Sequence, residues 1–158
     1  MLEFEHIVQV NDCDNDRLPD ISRKQLWEGL VMRARNPEKF NTAINCQSYP
    51  ISSTEFMRTI KAGDSLFEEK VLLYPEEKIH THTVGDDDEI NAASTTVIEE
   101  PAEGYLFVRF SYRRELEMED ERVDVGEHLK AAYVQVDREA IALIRLLAES
   151  KLFDSPIN

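Results

Sequence analysis

DVGEHLKAAYVQVDREAIALIRLLAE (124–149) is the stretch whose reading decides the fold. Its apolar residues Val125, Leu129, Ala132, Tyr133, Val136, Ala140, Leu143, Ile144 and Leu147 return every three or four positions, the pattern of a helix with one apolar stripe. Asp124, with Glu127 three residues on, predicts the helix start. At 1.5 Å per residue such a helix is about 40 Å long, enough to cross a whole sheet. Its stripe needs a matching apolar face, which the rest of the chain must supply.

The preceding segment supplies strands. From about Ile44 to Leu116 the chain reads as extended runs between turn signals at Ala62-Gly63-Asp64, Pro75-Glu76-Glu77, Gly85 to Glu89 and Pro101-Ala102-Glu103-Gly104. Connections this short imply antiparallel pairing. Further upstream, residues 2–10 alternate, with Phe4, His6, Val8 and Val10 on one face, as a half-buried strand does. A polar loop follows. Ser22 and Gln25 then form a capping box, with Ile21 placed to staple onto Leu26, and a helix is predicted over Arg23 to Arg35. Asn36 and Pro37 open a second, short helix. The expected class is α+β: a curved antiparallel sheet, two short helices after strand 1, and a long C-terminal helix packed across the sheet, with residues 1–158 as one domain.

Composition narrows the function classes. A 158-residue chain buries roughly two-thirds of its unfolded surface and needs no covalent staple. With 18 basic and 32 acidic residues the net charge is −14, which repels phosphate backbones and anionic lipids, so neither nucleic acid nor a membrane is an expected partner. No apolar run is long enough to span a bilayer, and the start Met1-Leu2-Glu3-Phe4 reads as a strand rather than a secretory signal; a cytoplasmic location is expected. Cys13 and Cys46 fall in no metal or redox motif and are read as ordinary thiols.

The element order, together with FEHIVQVND (4–12), LWEGLVMRARNPEKF (26–40) and IEEPAEGYLFVRFSYR (98–113), resembles the START-like (SRPBCC) superfamily, which shares the Bet v 1-like helix-grip fold. Within it the chain is similar to the AtaL-like family of bacterial and fungal proteins, over nearly its whole length. The resemblance implies an elongated cavity between sheet and last helix, used across the superfamily for lipids, hormones, polyketide intermediates and aromatic substrates. It implies no catalytic motif. The glycine-rich loop of the plant allergen branch is reduced here to Gly63-Asp64, and the cluster and iron-ligand motifs of the ring-hydroxylating oxygenases are missing.

Register arguments place candidate site residues. A two-residue turn at Gly63-Asp64 sets Phe56 opposite Val71, Arg58 opposite Glu69 and Ile60 opposite Phe67. Arg58 then anchors a ligand carboxylate, or Glu69 acts as a base, or the two form a structural cross-strand ion pair. A three-residue turn at Ala102 to Gly104 sets Val108, Phe110, Tyr112 and Arg114 against Ile98, Thr96, Ser94 and Ala92. Large residues there face small ones and leave volume for the last helix or for a ligand, with Tyr112, Ser94 and Thr96 as its polar groups. Core packing is the competing account of Tyr112. On the closing helix, Tyr133, Val136 and Ala140 lie on the stripe. Asp137 falls at the stripe's border, either as an acid–base partner of Tyr133 or as a side chain that is solvated or bonded to a neighbouring side chain.

Other constellations carry less. His80 and His82 leave a strand on one face, a spacing metals use, but neither His6 nor His128 is recommended as a third ligand. Asp12, Asp14 and Asp16 resemble a calcium loop, yet Arg17 and Arg23 replace the required glycine and glutamate. The run Asp86 to Glu89 reads as a solvated hairpin tip. Arg33 and Arg35 end helix one, where cations stabilise the terminus. Nucleophile and phosphate-loop motifs are absent, and no cofactor or metal is expected.

Three functions remain open. One is binding of a small apolar or aromatic molecule in a cavity of at least a few hundred cubic ångströms, as carrier, sensor or biosynthetic accessory. Another is a metal-independent cyclase, dehydratase or hydrolase using Tyr112, Tyr133, Asp137 or the Arg58–Glu69 pair. The last is an interaction module with a closed core.

Overall fold

Seven antiparallel strands form the single sheet of this computed structural model, which describes residues 1–15, 19–85, 91–115 and 123–150, without the side chains of 123 and 124. In chain order they are β1 (Leu2–Gln9), then, after α1 (Arg23–Arg35) and a 3-10 turn at Pro37–Lys39, β2 (Ile44–Pro50), β3 (Glu55–Ala62), β4 (Ser65–Tyr74), β5 (Lys78–Thr83), β6 (Ala92–Ala102) and β7 (Tyr105–Arg114). Helix α2 (Val123–Glu149) closes the fold. The spatial order is β1-β7-β6-β5-β4-β3-β2, so β1 pairs with β7, the last strand in sequence. This is an α+β helix-grip architecture, with the curved sheet and the long C-terminal helix that the sequence predicts.

The turns set the register. Gly63, at φ 62°, supplies the left-handed backbone of a two-residue hairpin, and Phe56↔Val71, Arg58↔Glu69 and Ile60↔Phe67 pair as expected. In β6–β7 the expected pairs Ser94↔Tyr112, Thr96↔Phe110 and Ile98↔Val108 also form, but by a different device. Ala102 pairs with Tyr105, leaving a two-residue turn, and an irregularity between Glu99 and Ala102 makes up the missing residue.

One face of the sheet carries His6, Val8, Phe110, Tyr112, Ser94, Thr96, Thr81, Val71 and Arg58, and the helices cover it. Leu26 and Leu30 of α1 and Ile141, Ile144 and Ala148 of α2 are buried with Phe56, Val71, Leu106, Val108 and Phe110 in one core. The α1 capping box forms as read: Gln25 N donates to Ser22 Oγ at 3.0 Å, and Ser22 N to Gln25 Oε1 at 2.8 Å. Buried Asn11 ties this helix start to the β6–β7 turn. Its Nδ2 donates to Ile21 O and Gly104 O, and its Oδ1 accepts from Ile21 N.

Helix α2 departs from the expected phase. It begins at Val123, one residue before the predicted cap. Its deeply buried positions are Asp137, Ala140, Ile141, Ile144 and Ala148, while Val136 is 36% exposed and Ala132 is exposed. Val136 and Ala132 are therefore corrected off the buried stripe, and Asp137 is moved from its border to its centre. Close packing against α1 sets the rotation: a Cβ added to Gly29 would lie 2.4 Å from Ile144 Cγ2, so only glycine admits the approach. Helix α2 packs most closely on α1 and β1 and stands off from β3 and β4. No helix among the described residues is long and apolar enough to cross a membrane. The acidic run 86–89 and Asp16 lie outside the described residues.

Candidate functional site

Asp137 has no solvent exposure, and its carboxylate is held from three directions. Arg33 Nη2, from α1, donates to Oδ1 at 2.8 Å. Tyr112 OH, from β7, donates to Oδ2 at 2.5 Å, and His6 Nε2, from β1, donates to Oδ2 at 2.7 Å. A buried carboxylate needs such partners, and the guanidinium and the two donors supply them. Rings brace the donors: His6 stacks between Phe4 and Phe110, Arg33 lies over Phe110, and Tyr112 stacks on Tyr133 at 4.0 Å and 9°. Tyr133 is thus a stacking partner of Tyr112, and no bond joins it to Asp137 among the described contacts. Burial, reinforced by the neighbouring Asp137 charge, pushes the Tyr112 phenol well above its ordinary range. It is a hydrogen-bonding group there, and a poor acid.

Tyr112 and Arg33 also face a void. A cavity of about 200 Å³ lies between α1 and the sheet, walled by Leu30, Ala34, Ile44, Ile60 and Ile79, with Arg33, Arg58, Thr81, Ser94, Thr96 and Tyr112 as polar lining. The Thr81, Ser94 and Thr96 hydroxyls have no hydrogen-bond partner among the described residues. A second pocket, of about 220 Å³, shares Ile60 and Glu69's neighbourhood and opens beneath the N-terminal half of α2, bounded by Phe67, Glu69, Thr83, Ala92, Arg114 and Tyr133. Each is smaller than the few hundred cubic ångströms expected.

Arg58 and Glu69 pair at 3.0 Å in this wall, and Arg58 Nη1 also donates to Ala34 O at 2.7 Å. The pair joins β3 and β4 to the carboxyl end of α1, where a cation is favoured. Of the other sequence candidates, Phe56, Val71, Val108, Phe110 and Ala140 are buried core and line neither pocket. Val136 faces outward. Asp137 sits behind Tyr112 and Arg33, touching the cavity only through them.

Sequence reading missed Thr81, Arg33 and Arg114 as lining residues. The strand KIHTHT (78–83) carried a signal, since its inward positions alternate Ile79, Thr81, Thr83 and place hydroxyls on a covered face. Its outward positions are His80 and His82, whose rings lie 5.6 Å apart; His80 Nδ1 is bonded to Thr95 Oγ1 at 3.1 Å. Burial, then the neighbouring His82 and Lys78, hold His80 below its ordinary value. No cluster of three metal-ligating side chains occurs among the described residues. Burial also pushes the Cys46 thiol up, the reverse of an activated nucleophile.

Residues 8–151 match the family model described as acetylaranotin biosynthesis cluster protein L, AtaL. The chain belongs to the AtaL family. No curated protein sequence matches it. Among solved structures, this AtaL-family chain is similar to StfQ, a di-domain aromatase/cyclase from the steffimycin biosynthetic pathway, with a TM-score of 0.69 at 11% identity. That match covers 96% of this chain and 51% of StfQ, so the chain spans about half the length of the di-domain protein. The Zhui aromatase/cyclase from Streptomyces sp. R1128 matches at a TM-score of 0.63 and 11% identity, over 95% of this chain and 94% of its own. Ara h 8.0201 matches at 0.60 and 14%, over 90% and 96%. At these identities the likeness is one of fold.

Proposed function

We propose that this AtaL-family chain binds a small, mainly apolar or aromatic molecule in the space between the sheet and its two helices, as an accessory of a biosynthetic pathway. The observation that carries this reading is the set of hydroxyls on Thr81, Ser94 and Thr96, which face the cavity without a protein partner. These hydroxyls are not among the buried polar atoms left without a partner, so they keep surface open to the cavity and stand ready to bond whatever fills it. Apolar walls with a few convergent polar groups are the usual make-up of a small-molecule site. The likeness to two aromatase/cyclases supports the same reading at the level of fold. Native mass spectrometry of the purified protein, set against its denatured mass, tests it: a defined non-covalent adduct is expected. A clean apo mass, with no binding of aromatic probes by titration, would remove the reading.

Catalysis in the same cavity is the second reading, and one observation favours it. Tyr112 and Arg33 both border the void and are both fixed by Asp137, a preorganised pair of polar groups where a ligand carbonyl would lie. Such a pair would stabilise the enolate formed when solvent hydroxide takes a proton from the carbon beside the carbonyl. Deuterium uptake into the methyl group of 2-acetylnaphthalene, accelerated by the protein and lost in Arg33→Met, is the expected signature. Uptake at the buffer rate leaves binding alone.

A further inference from the structure

Arg114 is an anomaly in a chain with a net charge of −14. It closes β7 on the covered face of the sheet, opposite Ala92, and is half-buried in the wall of the 220 Å³ pocket beside Ile60, Phe67 and Tyr133. Arg35 lies over the Phe56 ring, and the remaining arginines of the sheet and of α1 have carboxylates to hand. Arg109 pairs with Glu5 and Glu99, Arg113 with Glu3, Arg23 with Glu100, Arg33 with Asp137 and Arg58 with Glu69. Arg114 has no hydrogen bond or ion pair among the described residues. The carboxylate that shares its pocket, Glu69, is already committed to Arg58 at 3.0 Å.

We infer that Arg114 is a recognition residue for an acid, and that the ligand of this cavity is an aromatic or alicyclic carboxylic acid whose carboxylate it binds. The inference rests on the reading that the space between sheet and helices holds a ligand, and names its class; the Arg114 pocket adjoins the 200 Å³ cavity at Ile60, which lines both, and at the stacked Tyr112 and Tyr133. A guanidinium presents paired N–H donors that match the two oxygens of a carboxylate, and half-burial removes much of the water that would otherwise compete. Apart from Thr83 and from Glu69, which Arg58 holds, the rest of the pocket is apolar or aromatic. Tyr133, stacked on Tyr112, offers an extended ring surface at the side of the acid site. An acidic exterior disfavours small free anions, so selection falls on molecules that bring an apolar body with their charge.

Naphthalene derivatives separate charge from body. Fluorescence titration with 2-naphthoate and with its uncharged methyl ester, on the wild type and on Arg114→Met and Arg114→Lys, reads each contribution. The wild type is expected to bind the acid about tenfold more tightly than the ester, the usual scale for a hydrogen-bonded charge pair. Arg114→Met should lose that preference while keeping its ester affinity, and Arg114→Lys should keep part of it. Unchanged thermal midpoints and circular dichroism guard against a folding defect. Equal binding of acid and ester by the wild type, or a preference that survives Arg114→Met, would overturn the acid assignment and leave the cavity reading standing. Binding of neither compound would overturn both.

Discussion

At the scale of the residue, Asp137 concentrates more of the architecture than any other side chain described. Its carboxylate joins β1, α1, β7 and α2 through His6, Arg33 and Tyr112. Asp137→Ala would leave Arg33 charged and two donors unpaired in a dry site, and should lower the unfolding free energy by about 3–5 kcal/mol in urea denaturation. A loss below about 1 kcal/mol would show that water replaces the carboxylate. Tyr112 gives a second test. Its folded pKa lies above the unfolded value of 10.0, so its contribution to stability is complete below pH 10 and is lost as pH rises beyond it. Stability should therefore fall at alkaline pH, and less steeply in Tyr112→Phe. Some slope persists through Tyr105, whose phenol is also raised, chiefly by its bond to Asp14. None of this network was legible in the sequence as a network. Hydropathy favours Val136 over Asp137 as a buried residue, and Asp137's partners lie 25, 104 and 131 positions away. Only folded geometry brings them together.

Elements were far more legible, because their signals are local. The capping box of α1 and the Gly63 turn act within a few residues, and both appear where the sequence puts them. The rotation of α2 was not local: it depends on Gly29, in another helix, as much as on α2's own pattern. Gly29→Ala should separate the helices and cost about 1–3 kcal/mol, the usual range for overpacking. Adding Ile144→Ala should recover part of that loss in a double-mutant cycle, because the atoms nearest the new Cβ include Ile144 Cγ1 and Cγ2. Purely additive costs would mean that the two helices move apart freely. The candidate site shows the same division. Arg58 and Glu69 were placed by a turn, whereas Arg33 entered the cavity wall through a helix-on-sheet arrangement that no spacing reveals.

Across the whole molecule, the cavity is the space left where α1 and α2 share one face of a seven-stranded sheet. Filling it should separate fold from function. Thr96→Leu replaces an unbonded hydroxyl with apolar volume, and is expected to hold or raise the thermal midpoint while weakening 2-naphthoate binding about tenfold. Retained affinity would confine the ligand to the Arg114 pocket, which Thr96 does not line. The order of the sheet has a further consequence, for how the chain is made. Among the described residues strand β1 pairs with β7 alone, and its His6 finds its carboxylate 131 residues later in α2. A ribosome delivers β1 before the other strands, yet its partner β7 emerges only after β2 to β6. The central hairpins can form during translation, but the first strand must wait as an unpaired segment with Val8 and Val10 uncovered. Chains of such high contact order fold slowly, and any holdase that binds nascent apolar segments would meet this one at its beginning.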